Sequence, residues 1–84
     1  MNGWTNYETW NFMLWYGDYF QDLLQEMKDE GQELTHEQVY EMIEEHIDQM
    51  LDEKELKGFL GDIVGHAVQQ INIHEIVEEL LEVL

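Results

Sequence analysis

The sequence predicts an all-α protein, a compact bundle of four to five short helices around a single core. Apolar residues recur at spacings of three and four, polar capping pairs precede the apolar runs, and the 84 residues include no proline. No run alternates cleanly between apolar and polar residues, as a half-buried strand would. The length allows one small domain, which we assign as a single acidic helical domain over residues 1–84.

The first part of the chain is predicted to form two helices that meet at Gly17. Thr5 and Glu8 have the spacing of a capping box, so we expect the first helix to begin at Thr5. It should run to about Tyr16, because Gly17 suits the left-handed residue that closes a helix. Asp18 is then expected to cap a second segment that continues until Gly31.

Stronger signals predict the later helices. Thr35–Gln38 is a second capping box, followed by an apolar stripe between residues 39 and 51. Another apolar stripe extends from Leu56 to Ile71 and predicts the next helix. Asn72 is expected to cap the last helix, which runs to Leu84.

The charge of the chain is extreme. Twenty Asp and Glu residues stand against three Lys and no Arg, which gives a formal net charge of −17. Solubility needs a magnitude of only about 2–8 in a small domain, and self-repulsion opposes folding. A generic solvated acidic surface is one explanation. Adaptation to high salt is another, but the excess of fourteen Glu over six Asp disfavours it.

Two rows of carboxylates are predicted to lie on the outer faces of the third and last helices. Carboxylates four residues apart on a helix are separated by about 6 Å along its axis, comparable to successive phosphates of a nucleic-acid strand. A basic cleft that normally holds nucleic acid would recognise such rows. The candidate partner-binding residues are Glu37, Glu41, Glu44, Glu45, Asp48 and Asp52 in one row, and Glu75, Glu78, Glu79 and Glu82 in the other.

The aromatic residues near the start of the chain allow two interpretations. The segment is apolar on more than one side, which is typical of a central helix buried all round. Alternatively, Trp4, Trp15 and Tyr16 are exposed and anchor a protein partner, because Trp and Tyr dominate binding hot spots. Stacking on nucleic-acid bases is rejected, since no basic residues accompany the rings to hold phosphates.

Nothing in the sequence predicts an enzyme, a metal site or a cofactor. Ser and Cys are absent, and the histidines do not form a zinc-binding H-E-x-x-H arrangement. His46 lies on an apolar stripe and is expected to be a core histidine with satisfied hydrogen bonds. No apolar run approaches the ~18 residues that a membrane span needs, and no signal peptide is evident.

The segment Tyr7-Glu8-Thr9-Trp10-Asn11, followed by Leu14-Trp15, resembles the Y-E-T-W-N-x-x-L-W opening of a group of small phage- and plasmid-borne acidic proteins. The stretch from residue 69 to 76 is also similar to their C-terminal segment, although Ile73 stands where they commonly have Trp. The resemblance implies an origin in a mobile element. By analogy, it suggests the small acidic anti-restriction and anti-CRISPR inhibitors that imitate DNA.

These observations lead to one hypothesis and one alternative. The hypothesis is a non-enzymatic anti-defence inhibitor in the cytoplasm of the host cell, which blocks the basic groove of a nuclease or CRISPR effector without binding nucleic acid or membrane. The alternative is a protein-interaction module or homodimer that uses the aromatic segment, with the acidity only a solvated surface.

Overall fold

The computed structural model describes residues 3–54 and 57–84, and these ranges contain four α-helices and no strand. They are α1 (Tyr7–Asp29), α2 (His36–Lys54), α3 (Gly58–Gln69) and α4 (Ile73–Val83). The predicted all-α bundle is confirmed. None of the described helices is long and apolar enough to cross a membrane.

The core forms where α4 packs against both α1 and α2. Ile76, Val77 and Leu80 of α4 are almost completely buried. The other buried apolar side chains come from α1 and α2, namely Phe12, Phe20, Leu24, Val39, Ile43 and Ile47. The single core predicted from the sequence is therefore built by three of the four helices.

The first helix is continuous through Gly17, so the predicted break at this residue is wrong. Phe12, Phe20 and Leu24 are all buried, with Phe20 eight residues after Phe12 and Leu24 four residues after Phe20. These side chains lie on one face of the helix both before and after Gly17. Burial of this face outweighs the roughly 1 kcal/mol by which Gly disfavours a helix interior. Gly17 is itself buried.

We expect Gly17→Ala to stabilise the protein by about 0.5–1 kcal/mol, because alanine is the better residue inside a helix. The nearest atom to the added methyl would be Met13 Cε, at 3.3 Å, which is the end of a flexible side chain. The Met13 Sδ and Cβ atoms would lie at 3.8 and 3.9 Å, which are ordinary contact distances. Gly31→Ala is the matched control, since Gly31 has φ +87° and an alanine there should cost about 1–2 kcal/mol. Urea unfolding of both variants checks the signs, and a loss of stability in Gly17→Ala would contradict the continuous helix.

The helix α1 begins one position later than predicted. Asn6, not Thr5, is its N-cap, and the Asn6 Oδ1 atom accepts a hydrogen bond from the Thr9 backbone N–H at 2.9 Å. At the other end, Gly31 adopts a left-handed conformation after the helix has ended at Asp29. The Gln32 N–H donates to the Met27 carbonyl at 3.0 Å, which is the bond that defines a Schellman motif.

The caps predicted for the later helices are confirmed. The Thr35 hydroxyl accepts from the Gln38 N–H, and the Gln38 side chain accepts from the Thr35 N–H, both at 3.1 Å. Asn72 caps α4 by accepting from the Glu75 N–H at 3.2 Å. Local polar signals therefore determine where α2 and α4 begin.

The apolar stripe that predicted α3 is partly exposed in the structure. Among residues 58–69, all of which the structure describes, none is fully buried. Phe59, Leu60 and Ile63 are exposed, and Leu56 lies outside the described residues. This helix is apolar, yet it packs only weakly on the rest of its own chain.

Candidate functional site

The first predicted row of carboxylates lies along the outer face of α2. Its six members are all exposed: Glu37, Glu41, Glu44, Glu45, Asp48 and Asp52. The opposite face of α2 carries the buried residues Val39, Ile43 and Ile47. Core packing therefore fixes the direction in which this α2 row faces.

The second predicted row lies on α4 beside the start of the chain. Glu78, Glu79 and Glu82 are exposed, and Glu75 is half-buried. All four carboxylates line one shallow depression together with Gly3 and Trp4, with a volume of about 240 Å³. The α4 row thus borders a depression that Trp4 also lines.

Glu75 has a structural partner within this depression. Its two carboxylate oxygens accept hydrogen bonds from the Thr5 backbone N–H, at 3.0 and 3.2 Å. That contact holds the segment before α1 against the start of α4. Glu75 therefore positions Trp4 beside the three exposed carboxylates.

Hydrogen bonds around Thr9 tie the same two parts of the chain together. The Thr9 hydroxyl donates to Asn6 Oδ1 at 2.6 Å and accepts from the Asn72 N–H at 2.8 Å. Asn6 also donates from its side-chain amide to the Gln70 carbonyl at 2.6 Å. Thr9 is fully buried, so this polar group is satisfied rather than left unpaired.

The roles of Asn6 and Thr9 were not predicted from the sequence. Their spacing of three is a capping signal, but Thr5 and Glu8 carry the same signal one position earlier. The deciding contacts come from Gln70 and Asn72, more than sixty residues away. The local sequence pattern alone therefore cannot predict these contacts.

A third row of carboxylates, on α1, was also missed. Asp18, Asp22, Glu26 and Asp29 are exposed and follow helical spacing. The prediction of a helix break after Tyr16 placed these four residues on a second helix, separate from the aromatic segment. The continuous helix gives the molecule acidic faces on α1, α2 and α4.

The predicted aromatic residues are placed in three different environments. Trp4 is half-buried at the depression beside the α4 row. Tyr16 is half-buried, contacts the core, and donates its hydroxyl to the Met50 sulfur at 3.0 Å. Trp15 is 73% exposed.

Trp15 lines a second, apolar groove between α1 and α3. The groove has a volume of about 560 Å³, and Tyr7, Trp15 and Ile63 are among its lining residues. Glu8 is the one carboxylate among the residues that line it. This groove therefore has a different chemistry from the α2 and α4 rows.

His46 is surrounded by aromatic rings, and the expectation that its hydrogen bonds are satisfied is wrong. Its ring centroid lies 4.7 Å from that of Tyr16 and 5.3 Å from that of Phe20, both edge-on. The buried Nε2 atom of His46 has no hydrogen-bond partner among the residues that the structure describes.

Among the side chains that the structure describes, no group of three His, Asp or Glu residues is arranged to hold a metal ion.

Comparison with known proteins identifies a family but no characterised relative. No curated protein and no solved structure matches the chain. A family model described as "Family of unknown function (DUF7249)" matches residues 1–83. Because this match covers nearly the whole chain, the protein belongs to the DUF7249 family.

Proposed function

We propose that this protein is a non-enzymatic anti-defence inhibitor of a mobile element, of the anti-CRISPR or anti-restriction type. Its acidic surface imitates nucleic acid and blocks the basic groove of a host nuclease or CRISPR effector. The observation that carries the proposal is the ordering of the carboxylates. The α2 and α4 rows lie on two helices that pack directly against each other, and nine of their ten carboxylate side chains are exposed.

The spacing of these charges supports recognition by a phosphate-binding groove. Glu37, Glu41 and Glu45 follow one another at four-residue intervals, which is about 6 Å of helix axis per step. Arginine side chains that hold phosphates use a planar fork of donors, and the same fork matches a carboxylate. A groove built for phosphates therefore offers partners for each carboxylate of the α2 row.

The depression beside α4 supplies a more specific contact. A guanidinium group of the partner that enters it meets Glu78, Glu79 and Glu82 and also reaches the indole of Trp4. A cation against an aromatic face gains about 0.5–2 kcal/mol beyond its charge pairing. This site favours an arginine-rich groove over a diffuse positive surface.

Relief of repulsion adds to the affinity of such a complex. Neighbouring carboxylates such as Glu41 and Glu45 repel each other, at about 0.2–0.5 kcal/mol per pair on an isolated helix. The chain has only three lysines with which to neutralise twenty carboxylates. Cations from a partner groove would remove this repulsion while they form ion pairs.

The test is capture of a host nuclease followed by a competition assay. The immobilised protein should retain a DNA- or RNA-binding nuclease complex from host lysate at low ionic strength. It should release this complex between 0.1 M salt, where the Debye length is about 10 Å, and 1 M salt, where it is about 3 Å. The retained nuclease should lose binding of its nucleic acid when the protein is added, and unimpaired nucleic-acid binding would contradict the proposal.

The exposure of Trp15 favours a second candidate, a protein-interaction module that acts through the aromatic segment. In that function the acidity is only a solvated surface. The two candidates differ in their response to salt, because ion pairs at an exposed surface are screened whereas apolar contacts are not. A partner that stays bound at 1 M salt would favour the interaction module.

A further inference from the structure

We infer that two copies of this chain pair through an apolar surface formed by α1 and α3. We call this surface the α1–α3 face, and its residues are Tyr7, Trp15, Phe59, Leu60 and Ile63. Tyr7, Trp15 and Ile63 border one groove, and Phe59 and Leu60 lie one turn before Ile63 on the same side of α3. This inference is independent of the proposed inhibitor function.

The helix α3 needs more cover than the described residues of its own chain provide, although its Val68 packs against the core. It has 12 residues, and helices shorter than about 12–15 residues are marginal in water unless an apolar face packs against something. Phe59 is 77% exposed, and no residue of 58–69, a fully described range, is buried. A partner that covers α3 is needed whenever the chain is folded. A second copy of the chain is always present with the first and can be this partner.

The amount of exposed apolar surface suits a dimer. Aromatic side chains bury about 150–250 Å² each in a core, so the exposed parts of Tyr7, Trp15 and Phe59 together leave on the order of 400 Å² in water. Leu60 and Ile63, 60% and 50% exposed, extend the same surface. A stable interface buries about 800 Å² on each partner, including its polar rim, and this face supplies an apolar centre of suitable size.

The low charge of α3 favours a second copy of the chain, and not a basic protein, as the partner at this face. Residues 57–69 contain one lysine, Lys57, and one carboxylate, Asp62, so their formal charge is zero with His66 neutral. Almost all of the net charge of −17 therefore lies outside α3. On the α1 side, Glu8 is the one carboxylate among the residues that line the groove. Two copies that meet at the α1–α3 face therefore bring few like charges together, whereas a basic protein would be drawn to the α2 and α4 rows.

The face can serve both sides of a two-fold contact. Each copy has a groove that Trp15 lines and, on α3, the exposed side chains of Phe59 and Leu60. In a two-fold dimer the same patch is used twice, so these side chains of one copy can enter the groove of the other. Met50 of α2 lines the groove, but no carboxylate of the α2 row does, so the row stays available in the pair.

The experiment measures mass and thiol protection. Sedimentation equilibrium at 0.15 M salt should give twice the chain mass of 10.1 kDa at micromolar concentrations. Ile63→Glu should raise the dimer dissociation constant at least 100-fold. Val83→Glu is the matched control, since Val83 is also 50% exposed but lies on α4, and it should remain dimeric.

A milder variant covers the case in which Ile63→Glu prevents folding. The chain has no cysteine, so Ile63→Cys introduces a single thiol whose maleimide reaction rate reports its exposure. This rate should fall several-fold as protein concentration rises, and the rate for Val83→Cys should not. A wild-type protein that is monomeric at 100 µM, a dimer that persists in folded Ile63→Glu, or a thiol of constant reactivity would each overturn the inference.

Discussion

Reversing four charges of the α2 row, with Glu41→Lys, Glu44→Lys, Glu45→Lys and Asp48→Lys together, is expected to abolish binding to the basic groove of a host nuclease. All four side chains are exposed on one face of α2. Each exposed ion pair contributes about 0.2–1 kcal/mol, and reversal replaces attraction by repulsion. We expect the affinity to fall by at least about 100-fold, as measured by titration against the captured nuclease.

The fold should survive this substitution. The four side chains do not contribute to the core, which α2 builds from Val39, Ile43 and Ile47. Glu41→Lys would also stand four residues after Glu37, an arrangement that favours a helix. We therefore expect unchanged helicity by circular dichroism and a thermal midpoint no lower than that of the wild type.

A matched control separates the position of the charges from their number. Asp18, Asp22, Glu26 and Asp29 are four exposed carboxylates on α1, outside the predicted surface. Their combined reversal to lysine changes the net charge by the same amount. If it weakens binding as much as reversal on α2, net charge alone explains the attraction, and an unaffected affinity after reversal on α2 contradicts the groove-blocking proposal.

The acidic rows and the apolar face divide the surface of the molecule by chemistry. Carboxylate rows occupy outer faces of α1, α2 and α4, whereas α3 carries apolar side chains and Asp62 as its one carboxylate. A dimer through the α1–α3 face would join two acidic surfaces in one particle and double the formal charge. Such a particle could contact a long basic groove at two places, which raises avidity without any new contact.

The sequence predicts the helices best where the deciding contacts are local. The capping box of Thr35 and Gln38 and the cap of Asn72 on Glu75 involve residues only three apart, and both are present. The carboxylate rows were also predictable, because residues opposite a regular apolar stripe face solvent. For these features, periodicity and short-range hydrogen bonds contain the necessary information.

The predictions fail where tertiary contacts decide. Glycine often ends a helix, but Phe12 before Gly17 and Phe20 after it both pack into the same core, so α1 continues through Gly17. The spacing of these two residues was visible in the sequence and outweighs a single glycine. By contrast, the contacts of Asn6 with Gln70, and the lack of cover over Phe59, depend on how distant parts of the chain meet.

Leu80→Ala should strongly destabilise the core, with a loss of about 2–5 kcal/mol in the free energy of unfolding. Leu80 is 1% exposed and lies on α4, the helix that packs against both α1 and α2. A chain of this length has a total stability of roughly 4–13 kcal/mol, so the loss leaves much of the population unfolded where the total lies at the lower end of this range. Urea unfolding followed by circular dichroism measures the change.

The consequence for function follows from the position of α4. Glu78 and Glu82 lie on either side of Leu80 in sequence, so the α4 row is ordered only while Leu80 holds the helix on the core. Val83→Ala on the same helix is the control, since Val83 is half exposed and its truncation should cost less than about 1 kcal/mol. If the proposal is right, Leu80→Ala loses nuclease binding in proportion to its unfolded fraction, whereas Val83→Ala keeps it. Full binding by an unfolded Leu80→Ala protein would mean that negative charge is sufficient and that an ordered carboxylate row is not required.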